Sequence, residues 1–437
     1  MFRRPAALLG ALALLACVPG SVAPVPNAPF VPRCSALCLG LTPPRGQVVP
    51  IVTLERQGPN LLLPDWPRVA GSTWGGRDAA GGDIDEVWLR DTRVPGYDNV
   101  VQVADSGGIT PNRLALHRQD ARGAWALDGA ARFADESQGQ VLLETFARVS
   151  VTALADTVAV CAVTAAFDFD VEAVAAFRVP GTSEIPIGDV EQWGDRPATG
   201  PPPPLASPVT RHGAGEVGDP ADIGCAGVTG PGGFPELHVC LVTTDGHLWH
   251  TIKRDGPLDH DVGDAFTPFA DVEAQIGDIG TVTRVDCAAR GGTLHLVAVA
   301  EQGGRQHVWH TLRLADGSWR ASRQPDGTVA GADDVLAIVY GGAPIGVTIG
   351  EVAVGFCHEG VDQAQEPLLL IAWQMDQELP YVAWTPSPRA WWPTDPPRTY
   401  SPVSWLMPPG PAVAALRGLS IGERPFSADA AAAQGGR

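Results

Sequence analysis

The sequence predicts an all-β chain, a β-propeller of six or seven blades, each a three- to four-stranded antiparallel sheet. Three observations carry that reading. Its 437 residues include 51 glycines and 41 prolines, and few stretches show the long apolar periodicity of a helix. One stretch recurs: "LHVCLVTTDGHLWHTI" from Leu237 matches "LHLVAVAEQGGRQHVWHTL" from Leu294. Each copy supplies three or four short strands, a turn and a connection, a unit that stacks radially in propellers.

The chain is best taken from its N-terminus, where Arg3 and Arg4 precede the apolar run "AALLGALALLA", Ala6 to Ala16. A bilayer span needs about 20 such residues, so the run has the length of a secretory signal instead. It ends in "LLAC", Leu14 to Cys17, which resembles the lipobox of bacterial lipoproteins. The resemblance implies cleavage before Cys17, a diacylglycerol on its thiol and an acylated amine. The alternative is an ordinary signal cut after "SVA", where the following Pro24 disfavours cleavage. Prolines every few residues in "VPGSVAPVPNAPFVPR" then suit an extended tether.

The expected organisation is therefore a signal over 1–16, a lipidated cysteine and tether over 17–46, a propeller over 47–425 and a disordered tail over 426–437. The expected location is the bacterial cell envelope, at the outer membrane or cell surface, with the membrane engaged through the lipid anchor only. A formal net charge of -19 argues against nucleic acid as a partner.

Further copies support the propeller. Upstream of the two matched stretches lie "IGCAGV" at Ile223 and "VDCAAR" at Val285. Other copies start at Val149 and Val352, and a partial one at Arg113 aligns "RLALHRQDARGAW" with "HVWHTLRLADGSW". "PFADVEAQIGD" at Pro268 echoes "PIGDVEQWGD" at Pro186. Spacing is irregular because loops such as "ATGPPPPLASP" intervene. An array of two β-sandwiches is the competing fold, and repetition of one element inside each unit argues against it.

The pattern of a strand, "DG-x-L-W-H-T-I", "DG-x-W" and "F-x-D-V-E" resembles bacterial β-propeller lectins of the tectonin-like or fucose-binding type. The likeness runs from about Val149 to Trp319 and thins toward Trp392. It implies a glycan or glycoconjugate as ligand, although one fold hosts many functions.

Histidines in "HLWHTI" and "HVWHTL" test that implication. Successive strand side chains face opposite ways, so His247 and His250 cannot share a metal in a regular strand. Their recurrence points to a structural role, and so does that of His310. The functional reading puts Trp249, His250, Arg254, Trp309 and His310 at shallow pockets between blades, because an indole stacks on the C–H face of a sugar.

Cys161 and Cys240 share one repeat column, Cys225 and Cys287 another, and other copies place valine or isoleucine there. Such positions are buried and apolar. Two disulfides remain open, Cys225 with Cys240 on strands expected to be adjacent, and Cys34 with Cys38 if that segment turns helically. No C-x-x-C pair supports zinc, and no cofactor motif occurs.

Catalytic patterns are thin. "TTDGHLW" does not meet the sialidase box, and no G-x-S-x-G elbow is present. Asp168 and Asp170 share a strand face but fit a solvated edge. The reading is thus a lipid-anchored, lectin-like propeller; the alternatives are a protein-binding scaffold and, third, a glycan-cleaving enzyme, which leaves catalysis an open question. The anchor has a direct check. A fatty-acid probe should label the wild-type chain, and Cys17→Ser should abolish the label.

Overall fold

The computed structural model describes the strands named below and, with side chains, 217–231, 233–254, 266–321, 331–356 and 369–384, plus isolated positions elsewhere. The signal segment, Cys17, Cys34, the side chain of Cys38 and the tail over 426–437 lie outside the described residues.

Among the described residues six sheets follow one another along the chain. The first holds β1 (Ala36–Thr42), β2 (Ile51–Glu55) and β3 (Val69–Ser72), and the second holds β4 (Ile84–Arg90), β5 (Asn99–Asp105), β6 (Arg113–Gln119) and β7 (Trp125–Arg132). The third is β8 (Thr145–Leu154), β9 (Thr157–Ala165), β10 (Val171–Arg178), β11 (Glu191–Gly194) and β12 (Thr210–Arg211). β13 (Pro220–Thr229), β14 (Pro235–Thr243), β15 (Leu248–Lys253) and β16 (Ala270–Asp271) form the fourth. The fifth has β17 (Thr281–Arg290), β18 (Thr293–Gln302), β19 (Arg305–Arg313) and β20 (Trp319–Arg320), with β21 (Asp333–Asp334) also on β19. The sixth has β22 (Ile349–Cys357), β23 (Leu368–Met375), β24 (Pro380–Trp384) and β25 (Ser404–Trp405). Pairing is antiparallel apart from β11 with β12.

The last strand, β26 (Gly418–Glu423), pairs with β1, placing Ile421 opposite Leu39. The C-terminal segment thus completes the N-terminal sheet. β1 belongs to this closing sheet although it lies inside 17–46, the stretch expected to hold the tether. The innermost strands β4, β8, β13, β17, β22 and β26 touch in that order, and β26 touches β4. The sheets therefore close in a circle, and the fold is a β-propeller.

An innermost strand pairs with its own sheet on one side only, so its other edge presents backbone N–H groups that burial would orphan. The preceding sheet supplies the acceptors. Ser150 Oγ takes Cys225 N–H at 3.1 Å, and Thr152 Oγ1 takes Gly227 N–H at 2.9 Å. Asp222 Oδ2 takes Val285 N–H at 2.9 Å, and Asp286 Oδ2 takes Val354 N–H at 2.8 Å. Gly224 occupies the position of Ser150 but has no acceptor to offer, and Cys287 N–H turns to Asp286 Oδ1 instead, at 2.8 Å. A Cβ at Gly224 would stand 3.1 Å from both Asp286 Cα and Cys287 N, so glycine lets β17 approach closely.

Apolar clusters fill the spaces between sheets. Cys161, Cys225, Leu241 and Phe266 pack between the third and fourth, and Cys240, Leu248, Cys287 and Leu296 between the fourth and fifth. Val297, Val354, Trp373 and Tyr400 pack between the fifth and sixth. The repeated "D-V" of the connections also has a local cause. Asp334 caps the short helix α2 (Val335–Tyr340) by accepting the N–H of Ala337, and Asp271, one residue before the N-cap of α1 (Glu273–Ile276), accepts that of Ala274. Among the described residues no helix is long and apolar enough to cross a membrane.

Asp286 is the clearest test of the ring. Asp286→Ala should orphan the N–H groups of Cys287 and Val354 and cost about 1–3 kcal/mol for each, read as a lowered urea midpoint.

Candidate functional site

Two places in the propeller concentrate polar side chains: the axis and the third strands of the fourth and fifth sheets. At the axis, innermost strands bulge near their starts, at Ile84/Glu86, Phe146/Arg148, Pro220/Asp222, Val282/Arg284 and Ile349/Val352. The charge at these bulges alternates around the ring through Glu86, Arg148, Asp222, Arg284 and Glu351. Arg148 Nη1 and Nη2 donate to the two carboxylate oxygens of Glu351 at 3.1 and 3.0 Å. The third and sixth sheets lie opposite each other in the circle, so this bidentate pair crosses the axis. Arg284 Nε donates to Glu351 at 3.2 Å, and Arg148 Nε stands 3.6 Å from Asp222. Burial pushes the Asp222 carboxyl up, against the pull of Arg148 and Arg284. Each buried charge here has a partner, as burial requires. Among the described residues Arg148, Asp222, Arg284 and Glu351 pair with one another at this level.

The third strands split their residues by face. Trp249 turns toward the third sheet and packs beside Phe269, while Leu248 turns toward the fifth. His250 also faces the fifth sheet, its ring 5.4 Å from Trp319 and at 88° to it. Strand alternation repeats the arrangement in the fifth sheet, with Trp309 against the fourth–fifth cluster and His310 against Trp384 and Tyr400.

His250 and His310 belong to two buried relays. His250 Nε2–H donates to His238 Nδ1 at 2.9 Å, and His238 Nε2–H donates to Glu236 at 3.2 Å. The carboxylate fixes these tautomers: the hydrogen bond from His238 holds Glu236 below the usual carboxylate range, aided by Arg254 and Arg313. In the fifth sheet Tyr400 O–H donates to Asp333 at 3.0 Å, so His310 Nδ1–H donates to Tyr400 at 2.8 Å. His295 Nδ1–H then donates to His310 Nε2 at 3.1 Å.

These positions correct part of the site expected from sequence. His250 and His310 are 4% and 0% exposed and hydrogen-bonded inside the sheets, so neither lines a shallow pocket here. Arg254 sits at the far end of β15 from Trp249, its exposed side chain 3.3 Å from Glu236. The proposed bond between Cys225 and Cys240 is also corrected: Cys225 stands opposite Val239 and Cys240 opposite Gly224, so the two side chains lie in clusters on opposite faces of the fourth sheet.

Trp249 and Trp309 remain half-buried at equivalent inter-sheet edges, each indole N–H buried without a hydrogen-bond partner. Their polar companions are His247 and His307. His247, with 55% of its side chain exposed, stands edge-on to Trp249 at 6.4 Å and 3.4 Å from Glu273. His307 is held by Asp334 at 2.7 Å and lies over the Trp309 ring at 5.7 Å and 27°. The Trp249 site is therefore the more open of the two.

The axial charges were missed in the sequence, although aligning "ARVSV", "ADIGC", "TRVDC" and "GEVAV" places one charge before each apolar alternation. Among the described residues no cluster of three or more histidine, cysteine, aspartate or glutamate side chains is placed to hold a metal ion.

No family model matches the chain, and no curated protein sequence matches it. Solved structures similar to it include the periplasmic gluconolactonase of Pseudomonas aeruginosa, at 14% identity and TM-score 0.39, over 81% of this chain and 80% of that one. Trypanosoma rangeli sialidase is similar at 11% identity and TM-score 0.36, over 70% of this chain and 48% of that one. Drosophila plexin A, solved with semaphorin 1b, is similar at 10% identity and TM-score 0.37, over 87% and 82%.

The relays make stability depend on pH. Burial lowers the pKa of His238, His250, His295 and His310, the last to about 3. Unfolded, these rings protonate near 6.5, so below that value the unfolded chain binds more protons than the folded one. Stability should therefore fall as pH drops from about 6.5 toward 3, by up to about 1.4 kcal/mol per pH unit for each neutral ring. Asp222, with its pKa raised, works the other way above 3.8. Urea midpoints across this range should show the fall, and His310→Gln should flatten it by about one proton.

Proposed function

We propose that the chain is a non-catalytic, glycan-binding propeller, held to the bacterial envelope by a lipid on Cys17 and displayed at the outer membrane or cell surface. Trp249 carries the reading: it is half-buried at an inter-sheet edge, with the exposed His247 beside its ring. The accessible part of an indole offers apolar surface to sugar C–H groups, and a neighbouring imidazole offers a hydrogen bond to a hydroxyl. The likeness of the repeats to propeller lectins supports the same ligand class. Trp309 serves as a second, weaker position, because His307 already covers part of its ring.

A second reading, a protein-binding scaffold, is favoured by a different observation. Tyr340 at the end of α2 and Ile345 just beyond it are 41% and 79% exposed, a pair of large apolar groups turned to solvent. The two readings separate on a glycan array probed with the mature chain and with Trp249→Ala. The glycan reading expects saturable binding that Trp249→Ala weakens at least about tenfold while the melting temperature stays nearly unchanged. Should the wild type bind no glycan and Trp249→Ala cost about 3–5 kcal/mol of stability, Trp249 is packing and the glycan reading fails.

A further inference from the structure

Trp249 and Trp309 hold one repeat position, yet the charges around them differ. Each has an aspartate as its partner on the neighbouring strand, Asp271 for Trp249 and Asp334 for Trp309. In the fifth sheet that one carboxylate does two tasks. Asp334 Oδ1 accepts the N–H of Ala337 at 3.0 Å, and its Oδ2 meets His307 Nδ1 at 2.7 Å. The fourth sheet divides the same tasks between two carboxylates. Asp271 accepts the N–H of Ala274 at 3.1 Å, and Glu273 stands 3.4 Å from His247 Nδ1. The fold needs one carboxylate at this place, and the Trp249 edge carries two.

Glu273 is the added one. Two residues beyond Asp334 the fifth sheet has Leu336, fully buried, so packing at this place is met by an apolar side chain. Glu273 instead leaves only 12% of its side chain exposed, and burial pushes its carboxyl up despite the hydrogen bonds it accepts from His247 and from the backbone of Leu248 and Ile279. A further difference lies two residues before each histidine, where the fourth sheet has the exposed Asp245 and the fifth has the exposed Arg305. Asp245 sits in the turn that leads into His247, closed by the N–H of Gly246 on Thr243 O at 2.8 Å. The basic residues of this strand, Lys253 and Arg254, stand at its other end.

We propose that the Trp249 edge selects glycans that carry a free amine, with the sugar's apolar face on the indole and its ammonium beside Glu273 and Asp245. This rests on the reading of Trp249 as a sugar platform and names the ligand class for that site. An ammonium brings three donors and a positive charge to carboxylates that have one shared imidazole between them and solvent. The same carboxylates repel an acidic sugar. The Trp309 edge, with Arg305 and Leu336 at the equivalent places, lacks this preference.

Trimers of chitosan, chitin and cellulose separate charge from shape. They share one ring linkage and differ only in an amine, an acetamide or a hydroxyl on the second ring carbon. A galacturonic acid trimer supplies the opposite charge. Calorimetric titration of the mature chain at about pH 6, where a sugar amine keeps its proton, gives the affinities. The chitosan trimer is expected to bind about tenfold more tightly than the chitin and cellulose trimers. Glu273→Gln should bring that ratio close to one, and Glu273→Leu, which copies Leu336, should do the same in a chain whose melting temperature confirms folding. A net charge of -19 draws any polycation, so a preference that survives both variants overturns the proposal. Equal affinities for the three trimers, or tightest binding of galacturonate, overturn it while leaving the glycan reading in place. So does a glycan without an amine that the array finds and Trp249→Ala weakens, if none of the trimers binds. A chain that binds no glycan in any form overturns both.

Discussion

The ring depends on how one sheet satisfies the open edge of the next. An innermost strand has a sheet partner on one side only, and its remaining N–H groups are too buried to find water. Ser150, Thr152, Asp222 and Asp286 meet that demand with side-chain acceptors placed one residue out of step with the donors they serve. A fixed offset between neighbouring strands follows, and with it the clusters that Cys161 shares with Cys225 and Val297 with Val354. Asp286 has the heaviest duty, since its two oxygens serve two sheets. Glycine at 224 is the complementary device: where the acceptor is missing, the backbones close up instead.

Much of this was legible because repeats expose equivalence. Val149, Ile223, Val285 and Val352, read as the starts of matched copies, each lie just past a bulge on an innermost strand. The H-x-x-H motif likewise divides as strand alternation demands, with His247 and His307 at helix starts and His250 and His310 inside the sheets. What could not be read was contact between sheets. Tyr400 reaches His310 from a distant stretch of chain, and nothing in local periodicity brings them together. The same limit misdirected the cysteines: adjacency of β13 and β14 suggested a bond between Cys225 and Cys240, while their registers send the two thiols to opposite faces.

The two relays show how one repeat position is completed differently by its surroundings. His238 and His250 end on Glu236, a carboxylate of their own sheet, so their protons point back along β14. His295 and His310 point outward instead, through Tyr400 to Asp333. The residue of β16 equivalent to Asp333 is Ala270, which has no acceptor, and Glu236 takes its place from the other end of the strand. In both sheets a carboxylate terminates a neutral chain, and in both the cost of burying imidazole is met only while the rings stay uncharged.

The axial pair has a consequence for where ligands bind. Arg148 and Glu351 are enclosed, and together with Asp222 and Arg284 they form a set whose charges cancel. A charged ligand entering at this level would have to displace one member and leave its partner buried and unpaired, a penalty of several kcal/mol before any contact is gained. Recognition at the axis is therefore disfavoured by the same interaction that ties opposite sheets together. At the inter-sheet edge beside Trp249 the exposed His247 already faces water, so no buried ion pair would have to be broken there.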